Sequence, residues 1–137
     1  MAEKVEFASA AWLAAVEQKF RAFAAANPDA RFSICEVFTD APKHLAADGV
    51  IAWHCRAADG KLEFALGEAD DVDMKNIADY QAILPFARMR VDAETRPTYE
   101  KMAAEVAASG KLKRVGDPAK IPPGVHGLHN DLADITA

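Results

Sequence analysis

The sequence is short of the features that would name a chemistry. Cysteine occurs only at Cys35 and Cys55, each in an apolar run and in no Cys-x-x-Cys spacing. A thiol in such a run behaves as a small buried hydrophobe, so both are expected to be reduced and unbridged. Cations are outnumbered: 16 Lys and Arg stand against 21 Asp and Glu, a net charge of −5. Phosphate backbones are held by basic surfaces, so nucleic acid is not an expected partner. No run approaches the roughly 18 apolar residues that span a bilayer. The stretch Met1 to Phe7 carries Glu3 and Glu6 and no apolar leader core. These absences predict no transmembrane segment and residence in a reducing cytoplasm. The last residues, Asp134 to Ala137, are not a Ser-Lys-Leu peroxisomal address.

Catalytic signatures are missing as well. Neither Gly-x-Ser-x-Gly nor a Gly-rich phosphate loop occurs. Ser9, Ser33 and Ser109 are the only serines, and none lies in a turn that would expose a nucleophile. No cofactor, no catalytic residue and no metal site is expected.

What is present is a globular balance. The 137 residues are 51% hydrophobic and 27% charged, enough for a single domain with one core and no need of a disulfide or metal. Trp12, Val16, Phe20 and Phe23 share one face of a helix expected from Ser9 to Ala26, with Ser9 as its cap and Asn27-Pro28-Asp29 as its stop. Three alternating runs follow: Arg31 to Thr39, Val50 to Ala57, and Lys61 to Leu66. Asp59-Gly60 between the last two is a hairpin signal, and the three predict an antiparallel meander. Phe32, Ile34 and Phe38 point one way with Glu36 among them, and Ser33, Cys35 and Val37 the other.

Val72 to Ile77 is a fourth strand candidate, with Val72, Met74 and, after a bulge, Ile77 on one face. A short helix from Asp79 gathers Tyr80, Ile83 and Leu84, and Pro85 is expected to disturb or end it. Pro97 to Ser109 predicts a further helix with Tyr99, Met102, Ala103 and Val106 as its stripe and Gly110 as its stop. Lys111 to Val115 predicts a last strand, Gly116 to Gly124 a loop, and His126 to Ile135 a final helix. Strands flanked by helices predict an α+β fold: an antiparallel-rich sheet of about five strands with helices packed on one face.

A few polar groups have two readings. His126-x-x-His129 with Asp131 could hold a metal in a small metal-assisted enzyme, or be surface and capping residues. Asp70-Asp71-x-Asp73 lacks the spread of ligands of an EF-hand and reads as a solvated loop. His54 and Arg56 either orient a polar ligand end or face water. Glu36 is either an edge residue or a polar contact inside a cavity, since an unpaired buried carboxylate is costly. Lys111, Lys113, Arg114 and Lys120 read as a protected sheet edge or as a contact for anionic lipid.

The order of elements, with Ala69-Asp70 leading into Val72 to Ile77, then Asp79-Tyr80, then Gly110-Lys111-Leu112-Lys113 and Val115-Gly116-Asp117, resembles the sterol carrier protein 2 (SCP-2) family. The resemblance implies a sheet covered by helices with an apolar tunnel for a fatty acyl chain, sterol or similar lipid, and no shared catalytic residues. The favoured reading is a small lipid-binding carrier whose partner is an apolar small molecule or fatty acyl lipid. Phe32, Phe38, Trp53, Phe64, Met74, Tyr80, Phe86, Tyr99, Met102 and Val106 are its ligand-binding candidates, with the Tyr99, Met102 and Val106 face of the Pro97 to Ser109 helix lining the cavity. The alternatives are the metal-assisted enzyme and a non-catalytic interaction subunit, with a homodimer left open.

Overall fold

A computed structural model describes residues 4–137, and the first three residues of the stretch read against a leader lie outside it. Helix α1 (Ala10–Ala26) starts where Ser9, in extended backbone, accepts from the Trp12 N–H at 3.3 Å. Trp12, Val16, Phe20 and Ala24 repeat every four residues and are its buried stripe.

Strands β1 (Phe32–Thr39), β2 (Ile51–Ala58) and β3 (Lys61–Leu66) form the expected antiparallel meander. Asp59 and Gly60 turn between β2 and β3 with φ of 55° and 76°, the positive pair that a tight hairpin requires. Strand β4 (Met74–Asp79) then crosses to the free side of β1 and pairs with it in parallel. Strand β5 (Leu112–Gly116) pairs antiparallel with β4, which gives the order β3-β2-β1-β4-β5. The α+β class and the five strands agree with the sequence reading; the one parallel pair is what places β1 in the middle.

β4 starts at Met74 and has no bulge. Asp73 is held out of the strand by a reciprocal clasp: its carboxylate accepts from the Ser33 N–H at 2.9 Å, and its own N–H donates to the Ser33 hydroxyl at 2.7 Å. Gly116 closes β5 over the same residue. Its φ is +110°, and a Cβ there would stand 2.1 Å from the Asp73 carbonyl oxygen, so a side chain does not fit.

Helix α2 (Tyr80–Arg88) is capped by Asp79, whose carboxylate accepts from the Ala82 N–H at 2.9 Å. It runs through Pro85 rather than ending there. Pro85 and Gln81 are both exposed, so the Gln81 carbonyl that loses its helical donor faces water, while buried Tyr80 and Phe86 hold the helix to the core. Helix α3 (Arg96–Ala108) buries no residue. Helix α4 (Val125–Ile135) follows a single 3-10 turn, Pro118–Lys120.

The termini lock together. Val5 bridges Thr136, the Thr136 hydroxyl accepts from the Trp12 indole at 3.2 Å, and the Tyr80 hydroxyl donates to the Phe7 carbonyl at 2.9 Å. The core lies between α1, α2 and α4 and the sheet face that carries Phe32, Ile34 and Phe38, with Phe20 centred 5.5 Å from Trp53. On the opposite sheet face the acidic loop 67–73 is tied down. Lys75, buried, pairs with Asp70 at 2.6 Å and with Glu68. His54 donates to the Gly67 carbonyl and Arg56 to the Asp71 carbonyl, each at 2.8 Å. His54 and Arg56 are thus loop anchors, while the side chains of Asp70 and Asp71 stay exposed to solvent. Among the described residues no helix is long and apolar enough to cross a membrane.

Candidate functional site

Strand register sets the chemistry of the helix-facing side of the sheet. Trp53 on β2 lies opposite Glu36 on β1, Glu36 beside Asn76 on β4, and Asn76 opposite Arg114 on β5. One row across the sheet is therefore polar. The rows on either side are apolar: Ile34 with Met74, and Phe38 with Ala78 and Leu112. Paired side chains on one face stand roughly 5 Å apart, so each row is a continuous strip.

Above these rows opens a cleft of about 500 Å³. Phe7, Trp12 and Phe20 wall it from the α1 side, Ile83, Phe86 and Ala87 from α2, and Val125, Leu128 and Leu132 from α4. Arg96 and Tyr99 reach it from α3, and His126 and Arg114 stand exposed at its rim. The walls are mainly aliphatic and aromatic; Glu36, Asn76 and Arg114 supply polar groups from the sheet, and Arg96, His126, His129 and Asn130 supply them from the helices.

Glu36 is the unusual member. It sits on the central strand and not at an edge, which overturns the edge reading. Burial pushes its carboxyl above the usual carboxylate range, while the Asn76 and Trp53 polar groups beside it and the Arg114 charge pull it back. Next to it, the Trp53 Nε1 and Asn76 Oδ1 atoms are buried without a hydrogen-bond partner. Unpaired buried polar atoms are uncommon in native interiors, and two of them meet here at one carboxyl.

The α4 histidines have different roles. The His129 Nε2 lies 2.7 Å from the Met89 carbonyl, which can only accept, so this nitrogen carries the proton. Asn130 exchanges two hydrogen bonds with the Val91 backbone, at 2.7 and 2.9 Å, and Arg90 pairs with Asp134 at 2.6 Å. This clamp holds the α2–α3 connection against α4. His126 is exposed, and so is Asp131. Among the described residues no three His, Cys, Asp or Glu side chains gather as metal ligands. The bond to Met89 uses the Nε2 side of the His129 ring and leaves Nδ1 as its acceptor nitrogen.

Of the ten side chains expected to meet ligand, Phe38, Trp53, Met74, Phe86 and Tyr99 line the cleft together. Phe64 stacks on Trp53 at 5.6 Å from behind, Phe32 packs against Phe20 and Phe23, and Tyr80 packs against Phe7. Met102 and Val106 are half-buried on α3 and lie away from the cleft. Asn76 escaped the sequence reading because a bulge was assumed in β4. Without the bulge, strict alternation sends Met74, Asn76 and Ala78 inward and Lys75 and Ile77 outward.

No family model and no curated protein matches the chain. Solved structures do. A conserved hypothetical protein of Thermus thermophilus, described as a candidate sterol carrier protein, is 16% identical with a TM-score of 0.52, over 100% of this chain and 96% of that one. The chain has an SCP-2-like fold. A sterol carrier protein 2 crystal structure is 14% identical with a TM-score of 0.48, over 95% of this chain and 96% of the other. Palmitated sterol carrier protein 2 like 2 of Aedes aegypti is 12% identical with a TM-score of 0.43, over 86% of this chain and 91% of the other. In the SCP-2-like frame of this chain, the cleft occupies the space between the sheet and its covering helices.

Proposed function

We propose that this SCP-2-like chain is a non-catalytic binding or carrier protein that takes one apolar small molecule, of fatty acyl or similar lipid chemistry, into the cleft. The observation that carries the reading is the cleft itself. Its volume of about 500 Å³ lies within the roughly 300–1,000 Å³ of small-molecule sites, and apolar walls with a few convergent polar groups are their usual lining. Phe38, Met74, Phe86 and Tyr99 supply wall, and Trp53 supplies both wall and a polar edge. Phe32, Phe64 and Tyr80 support those walls from behind. The binding unit is the single domain formed by the whole chain, and it needs no cofactor. Its place of action is the cytoplasm, in keeping with two unpaired thiols.

The test is a titration of delipidated protein with a fluorescent fatty acid. Saturable one-to-one binding, displaced by unlabelled lipid, is the expected result. Absence of saturable binding would end the carrier reading.

A further inference from the structure

We propose that the flank formed by α3, β5 and the 3-10 turn docks on an anionic lipid surface and presents the mouth of the cleft to it. The proposal goes beyond the carrier reading: it names the surface at which the cleft meets its ligand, and it can fail while binding in solution stands.

Charge is unevenly spread along the chain. Residues 96–120 carry six Lys and Arg against Glu100, Glu105 and Asp117, a net +3, while the remaining residues carry ten against eighteen, a net −8. The six cations are Arg96, Lys101, Lys111, Lys113, Arg114 and Lys120. All are exposed, and among the described residues none pairs with a carboxylate. Elsewhere Arg21, Arg31, Arg56, Lys75 and Arg90 are all paired. The six fall on one flank because Gly110, with a φ of 81°, turns α3 straight into β5, and α3 lies against that strand. A molecule so polarised meets an anionic surface with this flank foremost, since the acidic remainder is repelled.

The flank borders the cleft. Arg96 and Arg114 line its mouth, and Lys120 ends the turn whose Pro118 lines it as well. Val115, beside Arg114 on β5, is 48% exposed, and an apolar side chain among cations suits the boundary between head groups and acyl chains. Protection of a sheet edge by lysine accounts for less. The other edge strand, β3, balances Lys61 with Glu63, whereas β5 carries cations alone, and Arg96, Lys101 and Lys120 lie on no strand. An acidic protein would match the charge equally well. A lipid surface also accounts for the position at the mouth, because an apolar ligand that passes from a bilayer into a cleft opening onto it avoids water.

The experiment is co-sedimentation of the whole chain with vesicles of phosphatidylcholine, alone or mixed with phosphatidylglycerol. The mixed vesicles should bind at least about tenfold more tightly. Raising the salt from about 0.1 M to about 1 M, which shortens screening from roughly 10 to 3 Å, should abolish the difference. Lys111, Lys113 and Lys120 do not line the cleft. Lys111→Gln, Lys113→Gln and Lys120→Gln together should weaken binding to mixed vesicles about tenfold or more, while titration with a fluorescent fatty acid in solution stays unchanged and shows the variant folded. Lys4→Gln, Lys43→Gln and Lys61→Gln remove three exposed lysines elsewhere and lower the net charge from −5 equally. This matched variant should bind the mixed vesicles within about twofold of wild type.

Equal binding to the two kinds of vesicle, binding to neither, or equal losses in the two triple variants would overturn the docking surface. Retention on immobilised polyglutamate without vesicle binding would overturn it in favour of an acidic protein partner. In each case saturable fatty-acid binding in solution would leave the carrier reading in place, and its absence would overturn that reading too.

Discussion

Replacing Leu112 by Trp separates an open cleft from a filled core. Leu112 is half-buried on edge strand β5, lines the cleft, and faces the small Ala78 across the β4–β5 pair. An indole there projects into about 500 Å³ of space. Adding bulk to a packed interior costs roughly 1–3 kcal/mol. Unfolding entropy near 60 °C is about 2.1 cal/mol/K per residue, so for this chain 1 kcal/mol corresponds to a shift of about 3.5 °C in melting temperature. A filled interior would thus lose roughly 3.5–10 °C. In the cleft the loss should stay within about 3.5 °C, while affinity for a fluorescent fatty acid falls about tenfold or more because the ring occupies ligand space. Val16→Trp is the matched control. Val16 is 0% exposed in the α1 stripe and does not line the cleft, so it should show the full loss of stability with little change in affinity per folded molecule. Thermal melts beside probe titrations read both quantities. Equal destabilisation of the two variants with unchanged binding in Leu112→Trp would refute the open cleft.

Three further outcomes test the surroundings of the cleft. Glu36 has a folded-state pKa raised above its ordinary value by burial. The folded chain therefore keeps a proton that the unfolded chain loses, and stability falls as pH rises from the ordinary glutamate range to the raised value. Glu36→Gln removes that slope, so its melting temperature should gain on wild type as pH rises above the ordinary glutamate range; a constant difference would contradict the burial. Cys55, pushed up to about 12 by burial, and Cys35, raised for the same reason, should resist alkylation in the native protein at neutral pH and both react after unfolding. Rapid native labelling would place a thiol at the surface. His129→Ala should cost about 1 kcal/mol, or about 3.5 °C, through the lost bond to Met89, whereas exposed His126→Ala should stay within about 0.5 kcal/mol; equal effects in melting scans would argue against the clamp.

The periodicities that located the elements were strong because each reported burial directly. The Trp12-Val16-Phe20 spacing and the alternation of β2 appear in the structure as expected, whereas β1 is buried on both faces and Leu66 at the end of β3 is exposed. Asp59-Gly60 and Ser9 acted locally, through backbone angles and a cap, and were legible for that reason. The parallel placement of β4 beside β1 was not, because register between distant strands depends on tertiary packing. That placement turns Glu36 from a lone acid into part of a row with Asn76 and Arg114. α3 misled in the opposite way. Its Tyr99, Met102 and Val106 have helical spacing, yet the helix lies beside β5, and of the three only Tyr99 reaches the cleft while Met102 and Val106 stay half-buried. An apolar stripe gives the orientation of a helix about its own axis; what the stripe meets depends on the rest of the fold. Pro85 predicts a disturbed or ended helix because its local cost is certain, while the offsetting burial of Phe86 is a tertiary effect.

The central claim is that the cleft between sheet and helices holds one amphiphilic apolar molecule. Native mass spectrometry of the delipidated chain, with dodecanol and then dodecanoate added in increasing amounts, tests it most directly. The account predicts a single-ligand complex that saturates at one molecule per chain and that weakens in Leu112→Trp. No discrete complex with either compound, or stepwise unsaturable adducts that Leu112→Trp leaves unchanged, would contradict it.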